Sequence, residues 1–267
     1  GGVVGGSAAL NSLTSNTGGT LVIQGGRVVT TGIQSYGEDV LLDNSLRSTS
    51  LETTDSAVTF AGTLKNNTAN AEALTINAGT GAVTFTGAVG ATGAGNAIGA
   101  LVVNSAGDTT FTSTVDATSV TTNVGGRVVI KGGRITTSGA QSYGENAFLD
   151  NVSRTTVLNT TNSDVSFAGT LKNNTAAAEA LTINAGSGEN LMALNGGDNS
   201  VTGGADADSI TTSSGNNLID AGGGADVVNL NGGFNTLNAQ AGADSITATT
   251  GQNIIDAGDD ADVIILS

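Results

Sequence analysis

The chain has 267 residues, with 41 glycines and no proline, cysteine, histidine or tryptophan, and its formal net charge is −15. Without histidine or cysteine, Ser-His-Asp and Cys-His catalysis and the usual zinc sites are excluded. The acids are concentrated in residues 189–267, which contain no lysine or arginine, so this part can attract metal cations but neither nucleic acid nor an anionic membrane. No apolar run is long enough to span a membrane, and a thin-cored solenoid suits the regularly spaced aliphatic residues.

Residues 1–188 contain two copies of a long repeat. Gln34-Ser-Tyr-Gly-Glu38 returns as Gln141-Ser-Tyr-Gly-Glu145, a shift of 107 positions (34 to 141), and Ser12 aligns with Ser119 at the same shift. The repeat register therefore extends back towards residue 1. We expect that the first copy is entered in mid-repeat and that the parent chain continues upstream.

A shorter rhythm lies within each copy of the long repeat. Val58-Thr-Phe60, Val83-Thr-Phe85 and Thr109-Thr-Phe111 are β-rich runs separated by turns rich in Gly, Asn and Ser. This spacing predicts a parallel β-solenoid over residues 1–188, with coils of about 25 residues, two or three strands per coil and four coils in each long repeat.

The same region resembles filamentous-haemagglutinin-like adhesins and other giant bacterial surface proteins. The likeness rests on Val-Thr-Phe-x-Gly-x-Leu or Val (58–64 and 83–89), Leu-Thr-Ile-Asn-Ala-Gly (74–79) and Gly-x-Gln-Ser-Tyr-Gly (32–37 and 139–144). The resemblance implies a secreted, cell-surface or fibre location.

Polar and aromatic residues in this region have alternative interpretations. Arg27, Arg127 and Arg134 could bind an anionic glycan, but we favour solvated side chains or ion pairs with neighbouring acids such as Glu38. Tyr36 and Tyr143 could contact a ligand, but we expect them to be buried. The scarcity of aromatic residues argues against a glycosidase, and we predict no catalytic role.

Residues 189–267 follow a stricter period. Asp208, Asp226, Asp244 and Asp262 recur every 18 residues, and Asn199, Asn217, Asn235 and Asn253 recur half a period away. Two positions after each of these Asp and Asn residues there is an aliphatic residue, so the repeating unit has nine residues. Two units form one 18-residue coil of a β-roll, with carboxylates on one edge, amides on the other and one aliphatic side chain per unit in the core.

The carboxylate edge predicts a metal site. Stacked aspartates repel one another, and a hard divalent cation held between coils by carboxylates and turn carbonyls would remove that repulsion. Calcium suits such all-oxygen sites better than magnesium. The candidate ligands are Asp206, Asp208, Asp226, Asp244, Asp260 and Asp262. Alternatively, the Asp and Asn side chains only cap turns, and we favour this alternative for the Asn edge.

The nine-residue pattern resembles the repeats-in-toxin (RTX) nonapeptide, which implies a calcium-binding parallel β-roll. The chain departs from that pattern by carrying Asn on the second edge and by replacing turn glycines, for example with Gln240 and Asp260. The RTX likeness implies type I secretion and the adhesin likeness suggests another route, so the secretion route stays open.

Together these features favour an extracellular bacterial adhesin or surface-fibre segment, a structural rod stabilised by calcium, with a possible glycan or cell-surface target. One alternative is a sheath, S-layer or filament subunit that assembles end to end without a ligand. A less favoured alternative is a polysaccharide-active enzyme that combines a β-helix with RTX modules.

Overall fold

The computed structural model describes residues 2–44, 46, 48–67, 71–90, 97–123, 125–153, 155–174, 180–194 and 198–267. The regular elements of these residues are β-strands, and the strand pairs whose register is established are parallel. In this described part no helix could cross a membrane. The prediction of an all-β parallel solenoid is confirmed.

The strands in chain order are β1 (Leu13–Ser15), β2 (Thr20–Ile23), β3 (Arg27–Val29), β4 (Gln34–Tyr36), β5 (Asp39–Leu42), β6 (Ser48–Glu52), β7 (Val58–Phe60), β8 (Leu64–Asn66), β9 (Ala73–Gly79), β10 (Val83–Phe85), β11 (Ile98–Ser105), β12 (Thr109–Phe111), β13 (Val115–Thr122), β14 (Arg127–Ile130), β15 (Arg134–Thr137), β16 (Gln141–Tyr143), β17 (Asn146–Leu149), β18 (Thr155–Asn159), β19 (Val165–Phe167), β20 (Leu171–Asn173), β21 (Ala180–Asn184), β22 (Leu191–Leu194), β23 (Ser200–Gly204), β24 (Ser209–Thr212), β25 (Asn217–Gly222), β26 (Val227–Asn238), β27 (Ser245–Asp256) and β28 (Val263–Leu266). They fall into two compact units, Gly1–Thr137 with Tyr143–Glu145, and Ser138–Ser142 with Asn146–Ser267.

The first unit is a solenoid with three columns of strands. The first column stacks β1, β4, β7, β10, β12 and β14. The second stacks β2, β5 and β8, continues through the bridges Leu64–Val89 and Val89–Val115, and reaches β15. The third stacks β3, β6, β9, β11 and β13. Each complete coil therefore contributes to three columns.

Coil length is not constant in this unit. The partners in the first column run Gln34, Val58, Val83, Thr109 and Val128, so steps of 24 to 26 positions are followed by one of 19 (109 to 128). Four coils after Gln34 the column has reached Val128, whereas the sequence repeat returns only at Gln141. The prediction that four coils fill the repeat is therefore wrong, because the turns of one coil are shorter. As a result Leu13–Ser15 lies in the first column, but its repeat equivalent, residues 120–122, lies in the third.

The core of the first column is a stack of aromatic rings. Tyr36, Phe60, Phe85 and Phe111 are buried, and their successive ring centroids are 4.8, 5.2 and 5.3 Å apart. The Tyr36 hydroxyl donates a 2.8 Å hydrogen bond to Oε1 of buried Gln34, and burial raises the pKa of that hydroxyl. Tyr143 is buried as well, so the expectation that both tyrosines are core residues is confirmed.

The second unit includes the 18-residue β-roll. One column runs from β22 through β24 and the first halves of β26 and β27 to β28, with partners Leu191, Ser209, Val227, Ser245 and Val263. The other column runs from β21 through β23 and β25 to the second halves of β26 and β27. The inward aliphatic residues Val201, Ile210, Ile219, Val228, Leu237 and Ile246 are buried between the columns, whereas Ile264 in the last coil is exposed. The 18-residue roll is therefore confirmed, while the proposed division at residue 188 stays a prediction.

We expect Phe85→Ala to lower the free energy of unfolding by about 3–5 kcal/mol, because it removes a ring stacked on both sides in a filled core. Thr84→Ala, one residue earlier and on the outer side of the same strand, should cost less than about 1 kcal/mol. Urea unfolding followed by far-UV circular dichroism measures both losses. Equal losses for the two variants would contradict the stacked core.

Candidate metal site

The predicted carboxylate edge exists as a continuous column. Asp208, Asp226 and Asp244 are 2%, 1% and 1% exposed, and each lies just before a strand of the roll. The backbone N–H of Asp208 donates to Oδ1 of Asp226 at 2.8 Å, and Asp226 N–H donates to Oδ1 of Asp244 at 2.8 Å. Asp244 N–H donates to Oδ1 of Asp262 at 3.0 Å. One oxygen of each carboxylate thus forms the turn-capping bond that the metal-free alternative required.

The second carboxylate oxygens have no such partner. Oδ2 of Asp208, Asp226 and Asp244 is buried and accepts no hydrogen bond. Both Asp208 Oδ2 and the Ala221 carbonyl oxygen lie close against Gly203, since a Cβ atom on this residue would collide with each of them. A carboxylate oxygen and a carbonyl oxygen facing the same small space are the donor types that calcium prefers. The residues present therefore fit the metal.

The environment of the column disfavours ionised carboxylates that have no counter-ion. Burial raises the pKa of Asp208 to about 6 and that of Asp226 to about 7, and it raises the pKa of Asp244. Neighbouring acids add to the effect, Asp206 beside Asp208 and Asp260 beside Asp244. A buried carboxylate in such surroundings takes up a proton or requires a cation.

On the opposite edge the Asn side chains form hydrogen bonds with one another. Nδ2 of Asn199 donates to Oδ1 of Asn217 at 2.7 Å, and Nδ2 of Asn217 donates to Oδ1 of Asn235 at 2.7 Å. The next step, from Asn235 to Asn253, is 2.8 Å. An amide has both a donor and an acceptor, so stacked amides can satisfy one another by hydrogen bonds, whereas stacked carboxylates have no donor. The preference for simple turn chemistry on the Asn edge agrees with this geometry.

Asp206 and Asp260 are placed differently from the other candidate ligands. Both are exposed, and each lies two residues before a column aspartate, Asp208 and Asp262 respectively. The intervening turns have Gly224 and Gly242 at this position, so the structure does not bring the two side chains together. Among the described residues no group of three acidic side chains is close enough to hold a metal alone. A cation at this edge would therefore need backbone carbonyls as additional ligands.

The three arginines that were considered as glycan contacts form ion pairs. Arg27 pairs with Glu52 at 2.5 Å, Arg127 with Asp108 at 2.5 Å and Arg134 with Asp116 at 2.8 Å. The ion-pair interpretation is confirmed, although the partners are not Glu38. The side chains of Arg27 and Arg127 are about half exposed, so each of their pairs contributes little to stability.

Asn190 was not predicted as a member of this column. It lies one coil before Asp208 in the carboxylate column and donates to Oδ1 of Asp208 through both its backbone N–H, at 2.8 Å, and its side-chain Nδ2, at 2.7 Å. Its spacing of 18 positions from Asp208 could have revealed it.

The unpaired oxygens predict a specific pH dependence in the absence of metal. The pKa values of Asp208 and Asp226 rise from 3.8 to about 6 and about 7, so between about pH 4 and pH 7 the folded state binds protons that the unfolded chain has released. In chelator the free energy of unfolding should fall as pH rises through this window, by about 1.4 kcal/mol for each unit of pKa shift. Urea titrations at several pH values measure this slope.

The double variant Asp208→Asn with Asp226→Asn should lose most of that slope, because amides do not titrate. An equal slope in the variant and the parent chain, or stability that rises with pH across the window, would contradict the account.

Comparison with known families supports the geometry. Residues 202–237 and 238–266 match the family model of the RTX calcium-binding nonapeptide repeat (4 copies). Comparison of the chain with curated proteins and with solved structures gives no significant match. The C-terminal roll of this chain therefore carries RTX calcium-binding nonapeptide repeats, with calcium as their cofactor.

Proposed function

We propose that the chain is a structural segment of an extracellular adhesin or surface fibre, and that calcium bound along the Asp column closes its C-terminal roll. Residues 1–188 would form the rod and residues 189–267 the calcium-dependent part. The observation that carries the proposal is the row of buried Oδ2 atoms without hydrogen-bond donors, inside repeats that match a calcium-binding family.

The ligands that we assign are Asp208, Asp226, Asp244 and Asp262, with turn carbonyls such as that of Ala221 completing each site. Asp206 and Asp260 would supplement the first and last turns of the row, where they stand two residues before column aspartates. Bound calcium supplies the positive charge that the column lacks. The chain's own residues fix the coil spacing, bury the carboxylates and present one free oxygen per coil.

Calcium binding would couple folding to location. A ligand that binds only the folded state stabilises it by RT ln(1 + [L]/Kd), about 2.7 kcal/mol per site when the ligand is at a hundred times its Kd. Where calcium is scarce, the buried carboxylates oppose closure of the roll. In a calcium-rich extracellular medium the same carboxylates would favour closure.

A structural role agrees with how the chain uses its polar and aromatic groups. The large aromatic rings of the first column fill the core, and the three ion-paired arginines pair with acids of their own unit. The adhesin-like repeats of residues 1–188 support a cell-surface location, with a glycan or another surface molecule as the target.

The test compares the full chain with a variant in which Asp208, Asp226 and Asp244 are all replaced by Asn. Thermal unfolding is followed by far-UV circular dichroism in chelator, in calcium and in magnesium. Calcium should raise the Tm of the parent chain, and magnesium should raise it much less. In chelator the variant should have a higher Tm than the parent chain, and calcium should not change it, because the variant recreates the amide column of the opposite edge.

Asn217→Ala is the matched control on the opposite edge. It interrupts the amide column, so it should lower the free energy of unfolding by about 1–3 kcal/mol with or without calcium, and the shift in Tm on adding calcium should persist. An unresponsive parent chain, or a triple variant that responds as the parent does, would contradict the proposed function.

A further inference from the structure

Asn190 stands at the head of the carboxylate column. It is 3% exposed, lies 18 positions before Asp208 and precedes the residues that match the family model. No family repeat therefore assigns it a role, although it occupies the same place in its coil as Asp208, Asp226 and Asp244.

The Asn190 amide reaches into two coils. Its Nδ2 lies within hydrogen-bonding distance of the Gly188 carbonyl oxygen (2.7 Å), the Gly203 carbonyl oxygen (3.1 Å) and Asp208 Oδ1 (2.7 Å). Its Oδ1 accepts a 2.9 Å hydrogen bond from the backbone N–H of Val165, 25 positions earlier in β19. The side chain thus connects a coil of about 25 residues to the first turn of the roll.

Between Asn190 and Asp208 the amide contacts the oxygen atoms that a cation would contact between the later coils. Its Nδ2 is the positive end of a dipole and lies between a turn carbonyl oxygen and a carboxylate oxygen, which are the donor types of a calcium site. The step from Asn190 to Asp208 is closed by hydrogen bonds, as are the steps of the Asn edge. The steps from Asp208 onward have only one hydrogen-bonded carboxylate oxygen each.

Asn190 also orients the first carboxylate. Because its backbone N–H and its Nδ2 both donate to Oδ1 of Asp208, that oxygen is occupied and Oδ2 remains the oxygen available to a cation. An aspartate at position 190 would keep an acceptor for the Val165 N–H but would replace the donor with a second oxygen.

We propose that Asn190 is a positioning residue that fixes where the calcium row begins and links closure of the row to the preceding coil. The proposal rests on the proposed function, since it concerns the same row of sites. The amide of Asn190 would prevent calcium from binding one coil before Asp208. Calcium bound at Asp208 would in turn stabilise β19.

The experiment uses the full chain and three sequences, the parent, Asn190→Asp and Asn190→Ala. Isothermal titration with calcium chloride at neutral pH gives the number of ions per chain. Hydrogen–deuterium exchange with mass spectrometry then reports protection in peptides that cover β19 and β27, each with calcium and in chelator.

Asn190→Asp should bind one more calcium per chain than the parent. In the parent, calcium should slow exchange in both β19 and β27. In Asn190→Ala, the slowing in β19 should fall by about tenfold, the equivalent of one lost buried hydrogen bond, while β27 is slowed as in the parent. A purely structural role for Asn190 would not change the number of ions.

Equal calcium numbers in Asn190→Asp and the parent would overturn the proposed boundary, and an unchanged calcium response of β19 in Asn190→Ala would overturn the proposed link. If β27 of Asn190→Ala is unprotected in calcium, the roll of this variant has failed to fold. The proposal is then tested with Asn190→Asp, from its number of bound ions and the calcium response of β19. A parent chain that binds no calcium would instead reject the proposed function.

Discussion

The roll depends on what happens when identical polar side chains are stacked in register inside a narrow β-structure. A column of amides satisfies itself, as Asn199, Asn217 and Asn235 do by donating from each coil to the next. A column of carboxylates uses one oxygen for the backbone of the neighbouring coil and leaves the other buried without a donor. The two columns share the 18-residue spacing and differ by one atom per side chain, and we propose that this difference makes one edge depend on a cation.

The same constraint organises the first unit with different chemistry. Parallel in-register stacking places Phe60, Phe85 and Phe111 directly over one another, so aromatic rings form a continuous core where the roll uses single aliphatic residues. Stacking also fixes the turns. Gln240 and Asp260 adopt φ values of +69° and +85°, in the left-handed region that favours glycine, because neighbouring coils impose the turn conformation.

Much of this arrangement could be predicted from the sequence, because the period of 18 fixes which residues share a column. The buried aliphatic residues, the separation of Asp from Asn and the burial of Tyr36 all followed from spacing and composition. The spacing left open whether each coil of the first unit has two or three strands, and it did not predict the 19-residue coil, since coil length depends on how each turn closes. The free Oδ2 atoms and the bridging role of Asn190 depend on side-chain orientation, which spacing alone does not define.

We propose that cations lie along one edge of the roll only. Crystals of the full chain grown with calcium and then exchanged into a lanthanide would locate the ions by anomalous scattering. The account predicts peaks beside Oδ2 of Asp208, Asp226 and Asp244, and no peaks along the column of Asn217, Asn235 and Asn253. Peaks on the Asn column, or an Asp column without any, would contradict it.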